Sequence, residues 1–283
     1  MTTSRRLLLL RGFVRGTGLA AAGPLLMPFL AAADETPPVP TLSDILDRNA
    51  AARGGVQAWR RIDSMVWIGH VESSNGAGTG LPFRLDVMRP NKSHFELANA
   101  NLKSLRVFDG KQGWKLRPSA AGKPEVLDYS PDERLYSRDE QVIDGFLIDH
   151  QAKGHIVTLE SRDEVEGRPA YRLGVTLPSG AAARLWVDSQ SFLETRLERR
   201  SASGAVVAIL YREYRDFEGV KMPTVIETSR TAAGQFDRLV IDRVLMNPPL
   251  PVNDFAKPGT AARAGRVIVD TRAPASAAVP SSR

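Results

Sequence analysis

The residues best suited to chemistry are few and scattered. His150 and His155 lie five apart with Gly154 between them, whereas one helix face presents two metal ligands at i, i+4, and no third ligand accompanies them. His70 and His94 fall on separate expected strands, where only a tertiary contact could unite them. Asp163, Glu164 and Glu166 cluster before Gly167. Paired carboxylates can perform acid–base work in a pocket, but beside a hairpin glycine they read as a solvated turn. The chain has no Gly-x-Ser-x-Gly elbow, His-Glu-x-x-His helix, P-loop or Gly-x-Gly-x-x-Gly turn. It has no Cys, which excludes disulfides, a thiol nucleophile, thiolate zinc and a lipidated cysteine. Asn91-Lys-Ser93 matches a glycosylation acceptor, read as chance in a chain with a bacterial type of export signal. The expectation is a non-enzyme with no catalytic residue, metal or cofactor.

The elements that hold these residues follow from periodicity. Thr41 can cap a helix with Asp44 three residues on, and Leu42, Ile45 and Leu46 give it one apolar face. Gly54-Gly55 ends it, and Val56, Trp59 and Ile62 form a short second helical turn. From Ser64 the period becomes two: Tyr171, Leu173, Val175 and Leu177 alternate with Arg172, Gly174 and Thr176. Similar runs are separated by Asp109-Gly110, Glu166-Gly167, Ser179-Gly180, Ser203-Gly204, Glu218-Gly219 and Ala233-Gly234, the marks of consecutive hairpins. About ten strands are expected on this pattern, eleven with a short one at 266–269. A helical insertion is expected from Pro131 to about His150. The class is α+β.

At the N-terminus, residues 1–33 hold Arg5, Arg6, Arg11 and Arg15, no acid, an apolar stretch from Gly16 to Leu30, and Ala31-Ala32-Ala33. This is the pattern of a secretory signal peptide cleaved between Ala33 and Asp34. The apolar stretch is shorter than the roughly 20 residues a membrane span needs. Ser4-Arg5-Arg6-Leu7 also fits a twin-arginine signal, so either export route is open. The chain of 283 residues has formal charge +6, but residues 34–283 carry only +2, with basic runs as short as Arg199-Arg200. Such interspersed charge reads as a solvated surface and not as a nucleic-acid footprint. The expected organisation is a signal over 1–33, a Pro-rich lead-in over 34–40, one domain over 41–262 and a mostly disordered tail over 263–283.

Several motifs occur together in order. They include Gly54-Gly55-x-x-Ala58-Trp59, Asp109-Gly110-x-x-Gly113-Trp114, Asp144-Gly145-x-Leu147 and Lys153-Gly154-His155. Glu166-Gly167-x-x-Ala170-Tyr171-x-Leu173, Leu185-Trp186-Val187-Asp188 and Asp216-Phe217-x-Gly219-Val220-x-Met222-Pro223 complete the series. Over roughly 42–256 this resembles the LolA-like outer-membrane lipoprotein-sorting proteins. The resemblance implies a curved antiparallel sheet, an incomplete barrel, with helices covering the concave side and a hydrophobic cavity between. It also implies a periplasmic protein whose partner is a lipid acyl chain or an acylated lipoprotein.

Candidate lining residues are Trp67, Phe83, Phe95, Trp114, Phe146, Leu147 and Trp186, although for any one of them simple packing in the core is the plainer reading. Burying a sixteen-carbon chain at about 0.8 kcal/mol per CH₂ gains on the order of 10 kcal/mol before ordering costs. Two other readings stand beside this one: an envelope sensor or scaffold that binds a protein partner, and a carboxylate-based hydrolase.

Overall fold

The computed structural model describes residues 40–76, 80–99, 102–118, 124–140, 143–201, 204–230 and 235–259. The expected signal peptide with its cleavage site, nearly all of the lead-in, the strand at 266–269 and the C-terminal tail lie outside these residues. Helix α1 (Leu42–Ala52) starts at the capping box expected from Thr41. The Thr41 hydroxyl accepts from the Asp44 N–H at 3.2 Å, and the Asp44 carboxylate accepts from the Thr41 N–H at 2.8 Å. Gly54 takes a φ of +101°, and a side chain there would meet the Gly219 carbonyl, so glycine both ends α1 and lets it dock on the sheet. Helix α2 (Val56–Arg60) is one turn that buries Trp59.

Among the described residues, thirteen antiparallel strands follow in one sheet. The first six are β1 (Ser64–Ser73), β2 (Leu81–Met88), β3 (Lys92–Asn99), β4 (Leu102–Phe108), β5 (Gly113–Pro118) and β6 (Pro124–Asp128). Helix α3 (Pro131–Asp139) intervenes, and then come β7 (Ile156–Val165), β8 (Arg168–Thr176), β9 (Ala182–Asp188) and β10 (Glu194–Arg200). The last three are β11 (Val206–Phe217), β12 (Val220–Arg230) and β13 (Phe236–Met246), followed by a short 3₁₀ turn at Val252–Phe255. The strand order is β6-β5-β4-β3-β2-β1-β13-β12-β11-β10-β9-β8-β7. Two meanders therefore meet where β1 pairs with β13, and the two edge strands, β6 and β7, are successive in the chain.

Two expectations need correction. Among the described residues there are thirteen strands rather than ten or eleven. The strand most easily overlooked is β6, whose five residues start at Pro124, a residue with no N–H to give a ladder, and are too few to show alternation. The helix expected over 131–150 stops at Asp139. Beyond it the described chain, from Ile143 to Gly154, runs through turns with Gly145, Asp149 and Gly154 all at positive φ, which breaks helical repetition.

The sheet buries one face under the helices. Ile45 of α1, with Phe146 and Leu147, packs on Tyr171, Leu173, Leu185, Val187, Leu197 and Ile209. Trp59 of α2, with Ile143 and Ile148, packs on Met65, Trp67, Phe83, Leu85, Met222 and Ile241. At Gly69 the β1–β13 register slips by one residue, and a Cβ would sit 1.9 Å from the Val240 carbonyl oxygen. Only glycine fits that bulge.

Candidate functional site

Helix α3 positions the site. Ser130 caps it, with Pro131 next, and Glu133 completes a capping box. The same Glu133 carboxylate accepts from Lys115 Nζ of β5 at 2.7 and 2.8 Å and from Arg106 Nη2 of β4 at 3.0 Å. At its other end α3 reaches the opposite limb of the sheet. The Ser179 hydroxyl, in the β8–β9 turn, donates to Asp139, and the Arg199 guanidinium of β10 stacks 3.6 Å from the centre of the Tyr136 ring.

This double attachment fixes the curvature. Seven strands lie between β5 and β10. In a flat sheet with strands about 4.8 Å apart, those two would be about 38 Å from each other. A nine-residue helix is about 13.5 Å long. Contact with both limbs requires the sheet to curl, with α3 strapped across its open side.

Beneath the strap is a cleft of about 160 Å³. Its walls are Asp132, Leu135, Tyr136 and Asp139 of α3, Phe146, Leu177, the run Ala181–Ala183, and Arg199, Arg200 and Ser201 at the end of β10. Three successive alanines leave the space that larger side chains would fill. The volume is below the 300–1,000 Å³ usual for a small-molecule pocket. The rest of the inner face is packed by α1, α2 and the 143–154 segment. No side chain of α3 is buried, and Leu135 is exposed.

The 143–154 segment is pinned by buried charge. Asp144 accepts from Arg89 Nη2 at 2.7 Å and Lys153 Nζ at 2.5 Å. Arg53, stacked on Trp59, donates to the Asp144 carbonyl at 2.9 Å and to Glu194 at 3.3 Å. Lys153 Nζ also donates to the Gly145 carbonyl at 2.7 Å. Burial pulls the Lys153 pKa below its usual range, against the pull of Asp144.

The seven sequence-selected lining residues do not form one group. Phe146 lines the cleft. Leu147 packs beside it in the core under α1. Trp67, Phe83 and Phe95 share the inner face under α2, with the two phenylalanine rings stacked at 5.8 Å. Trp114 and Trp186 lie on the opposite face. Trp114 pairs with Val107 and packs on the outer cluster closed by Phe255. Trp186 packs with Val165, Ala170 and Leu210, and its indole N–H donates to Asp163 at 3.0 Å.

The chemistry-bearing residues are dispersed. His155 is buried, its pKa lowered by burial, with Nδ1 2.9 Å from the Phe146 carbonyl. His70 meets Asp242, and His94 meets the Asp254 carbonyl. No cluster of three or more metal-binding side chains occurs among the described residues. Asp163 and Glu166 lie at the β7–β8 hairpin and pair with Arg172 and Arg212.

Sequence reading missed Arg199. Treated with Arg200 as a solvated pair, it in fact follows Leu197 onto the inner face, opposite Ala183 and Val207. Its side chain is 16% exposed. The available signal was its position two residues after a core leucine in a strand.

No protein-family model and no curated protein matches the chain. Solved structures do. A DUF1329 family protein from Desulfovibrio piger aligns at TM-score 0.51 and 12% identity, over 77% of this chain and 98% of that one. A putative outer membrane lipoprotein-sorting protein domain from Vibrio parahaemolyticus gives 0.50 and 14%, over 75% and 95%. A LolA superfamily protein from Nitrosomonas europaea gives 0.50 and 19%, over 77% and 99%. At these identities the likeness is one of fold. The chain has the LolA-like fold in a divergent form: a curved, open antiparallel sheet. No helix among the described residues is long and apolar enough to cross a membrane.

Proposed function

We propose that this protein is a non-catalytic binder of a hydrophobic ligand, an acyl chain of a lipid or of a lipoprotein, and that it works in the periplasm after export. The observation that carries the reading is the cleft between α3 and the inner face. It is lined by Leu135, Phe146, Leu177 and Ala183 and closed by a helix that buries none of its own side chains. A cover held by polar contacts at two ends can be displaced at small cost in apolar burial, and displacement would lengthen the cleft along the sheet. The fold shared with a lipoprotein-sorting domain supports the same reading, as does the signal-like segment over 1–33.

Protein prepared without detergent is expected to bind cis-parinaric acid with a rise in probe fluorescence. Ala183→Trp, which fills the cleft, is expected to abolish the rise while the protein stays folded by circular dichroism. Absence of binding in the unaltered protein would remove the proposal.

The second reading, a module that captures a protein partner, is favoured by edge strand β7, where Ile156 is 64% and Leu159 36% exposed. Such an edge can accept an added strand. Loss of a partner on Leu159→Lys, with probe binding intact, would support it.

A further inference from the structure

Among the described residues that line the cleft under α3, Leu135, Phe146, Leu177 and Ala183 are apolar, Arg200 is exposed at the rim, and Arg199 is the cation on the inner face. Arg199 stands on the inner face of β10, among Ala183, Val207 and Leu197. Four other half-buried or buried arginines, Arg53, Arg89, Arg212 and Arg238, each have a carboxylate oxygen within 3.3 Å. Arg199 does not. Its nearest carboxylate oxygen belongs to Glu140, at 3.9 Å, beyond hydrogen-bond reach, on a side chain that is 44% exposed. Its Nε has no hydrogen-bond partner among the described residues. Tyr136 covers one face of the guanidinium, and burial lowers its pKa to about 10. The acids that share the cleft do not answer it. Asp139 receives the Ser179 hydroxyl, and Asp132 is exposed on the first turn of α3.

A poorly hydrated cation with unused donors is costly to keep. It is compensated when an anion enters beside it. The planar fork of a guanidinium matches the two oxygens of a carboxylate. The small volume favours that compact head over a bulkier one.

We propose that the cleft selects a fatty acid: its carboxylate sits on the Arg199 guanidinium, displacing Glu140, and its alkyl chain runs along Ala183, Leu177 and Phe146. The proposal rests on the acyl-binding function above and adds the head group, which separates an unesterified acid from a neutral lipid or an esterified chain.

The test is titration calorimetry on the full chain with decanoate and with decanol, at neutral pH. The unaltered protein is expected to bind decanoate about tenfold to a hundredfold more tightly, the range of a charge-assisted hydrogen bond. Arg199→Met should reduce decanoate to the affinity of decanol and leave decanol unchanged. Arg199→Lys should restore part of the preference. A merely structural arginine would instead lower thermal stability in Arg199→Met without changing the ratio of the two affinities. Equal affinities in the unaltered protein, or a preference that survives Arg199→Met, would overturn the proposal while leaving acyl binding standing. If neither compound binds, acyl binding itself falls, and this inference with it. Should Arg199→Met not fold, the decanoate-to-decanol ratio in the unaltered protein decides alone.

Discussion

Asp144 sits where the strand β2 end, α1 and the 143–154 segment converge, 2% exposed and held by Arg89 and Lys153. Its removal would leave Lys153 buried with no carboxylate in contact and Arg89 with only carbonyls. Breaking a buried pair in this way costs about 3–5 kcal/mol. Asp144→Ala is therefore expected to lower the denaturant midpoint strongly, with the m-value unchanged, as read by urea unfolding. Arg199 and Arg200 make the contrasting case. They are adjacent in sequence, but the two-residue period of a strand turns one into the cleft interior and the other outward. Residue type alone identified two cations. Which one met water depended on register, and a slip of one residue would have exchanged them. The same ambiguity explains Trp114 and Trp186, large apolar strand residues that belong to the outer face.

At the scale of elements, α3 depends on Glu133. Burial pushes this carboxyl's pKa up, but hydrogen bonds from Lys115 and the Ser130 N–H, with Arg106 nearby, hold it below the ordinary 4.5. A depressed carboxylate pKa contributes stability that is complete above the unfolded value and is lost as pH falls through the folded one. Amide-exchange protection in α3 is accordingly expected to be constant near neutrality and to collapse below about pH 4.5, ahead of the sheet. Glu133→Gln should show reduced protection at all pH values and no such step. Much at this scale was legible beforehand: the Thr41 cap, the Gly54-Gly55 stop and hairpin glycines such as Gly167 and Gly219 are local signals, set by backbone geometry, while the Ala233-Gly234 turn lies outside the described residues. The end of α3 was not, because the turns that follow it are held in part by Arg53, at the end of α1, bonding to the Asp144 carbonyl from far away in sequence. The cleft was half legible. Ala181–Ala183 marks missing volume, but no local pattern tells that α3 and Arg199 lie over it.

Across the whole molecule, the outer face carries a belt of ion pairs from edge to seam. Arg184 and Arg172 meet Glu160, Arg212 joins Glu166 and Glu227, and Arg238 joins Glu227 and Glu72. Apart from those to the buried Glu227, these exposed and half-exposed pairs contribute little singly; the fold rests on the two apolar clusters behind them. The cluster under α2 spans the seam, where Met65 of β1 lies opposite Met246 of β13. Deleting residues from Gln235 onward is expected to abolish cooperative unfolding, followed by near-ultraviolet circular dichroism, and not merely to lower the midpoint, because it uncovers β1 and β12 together in the middle of the sheet.

That seam also sets an order in time. Among the described strands a ribosome makes β1 first and β13 last, so the first strand has only β2 to hold it until every other strand has been made. Closure of the sheet is thus a late event in the birth of the molecule, and any chaperone that keeps the nascent chain apart has a natural footing on the vacant side of β1.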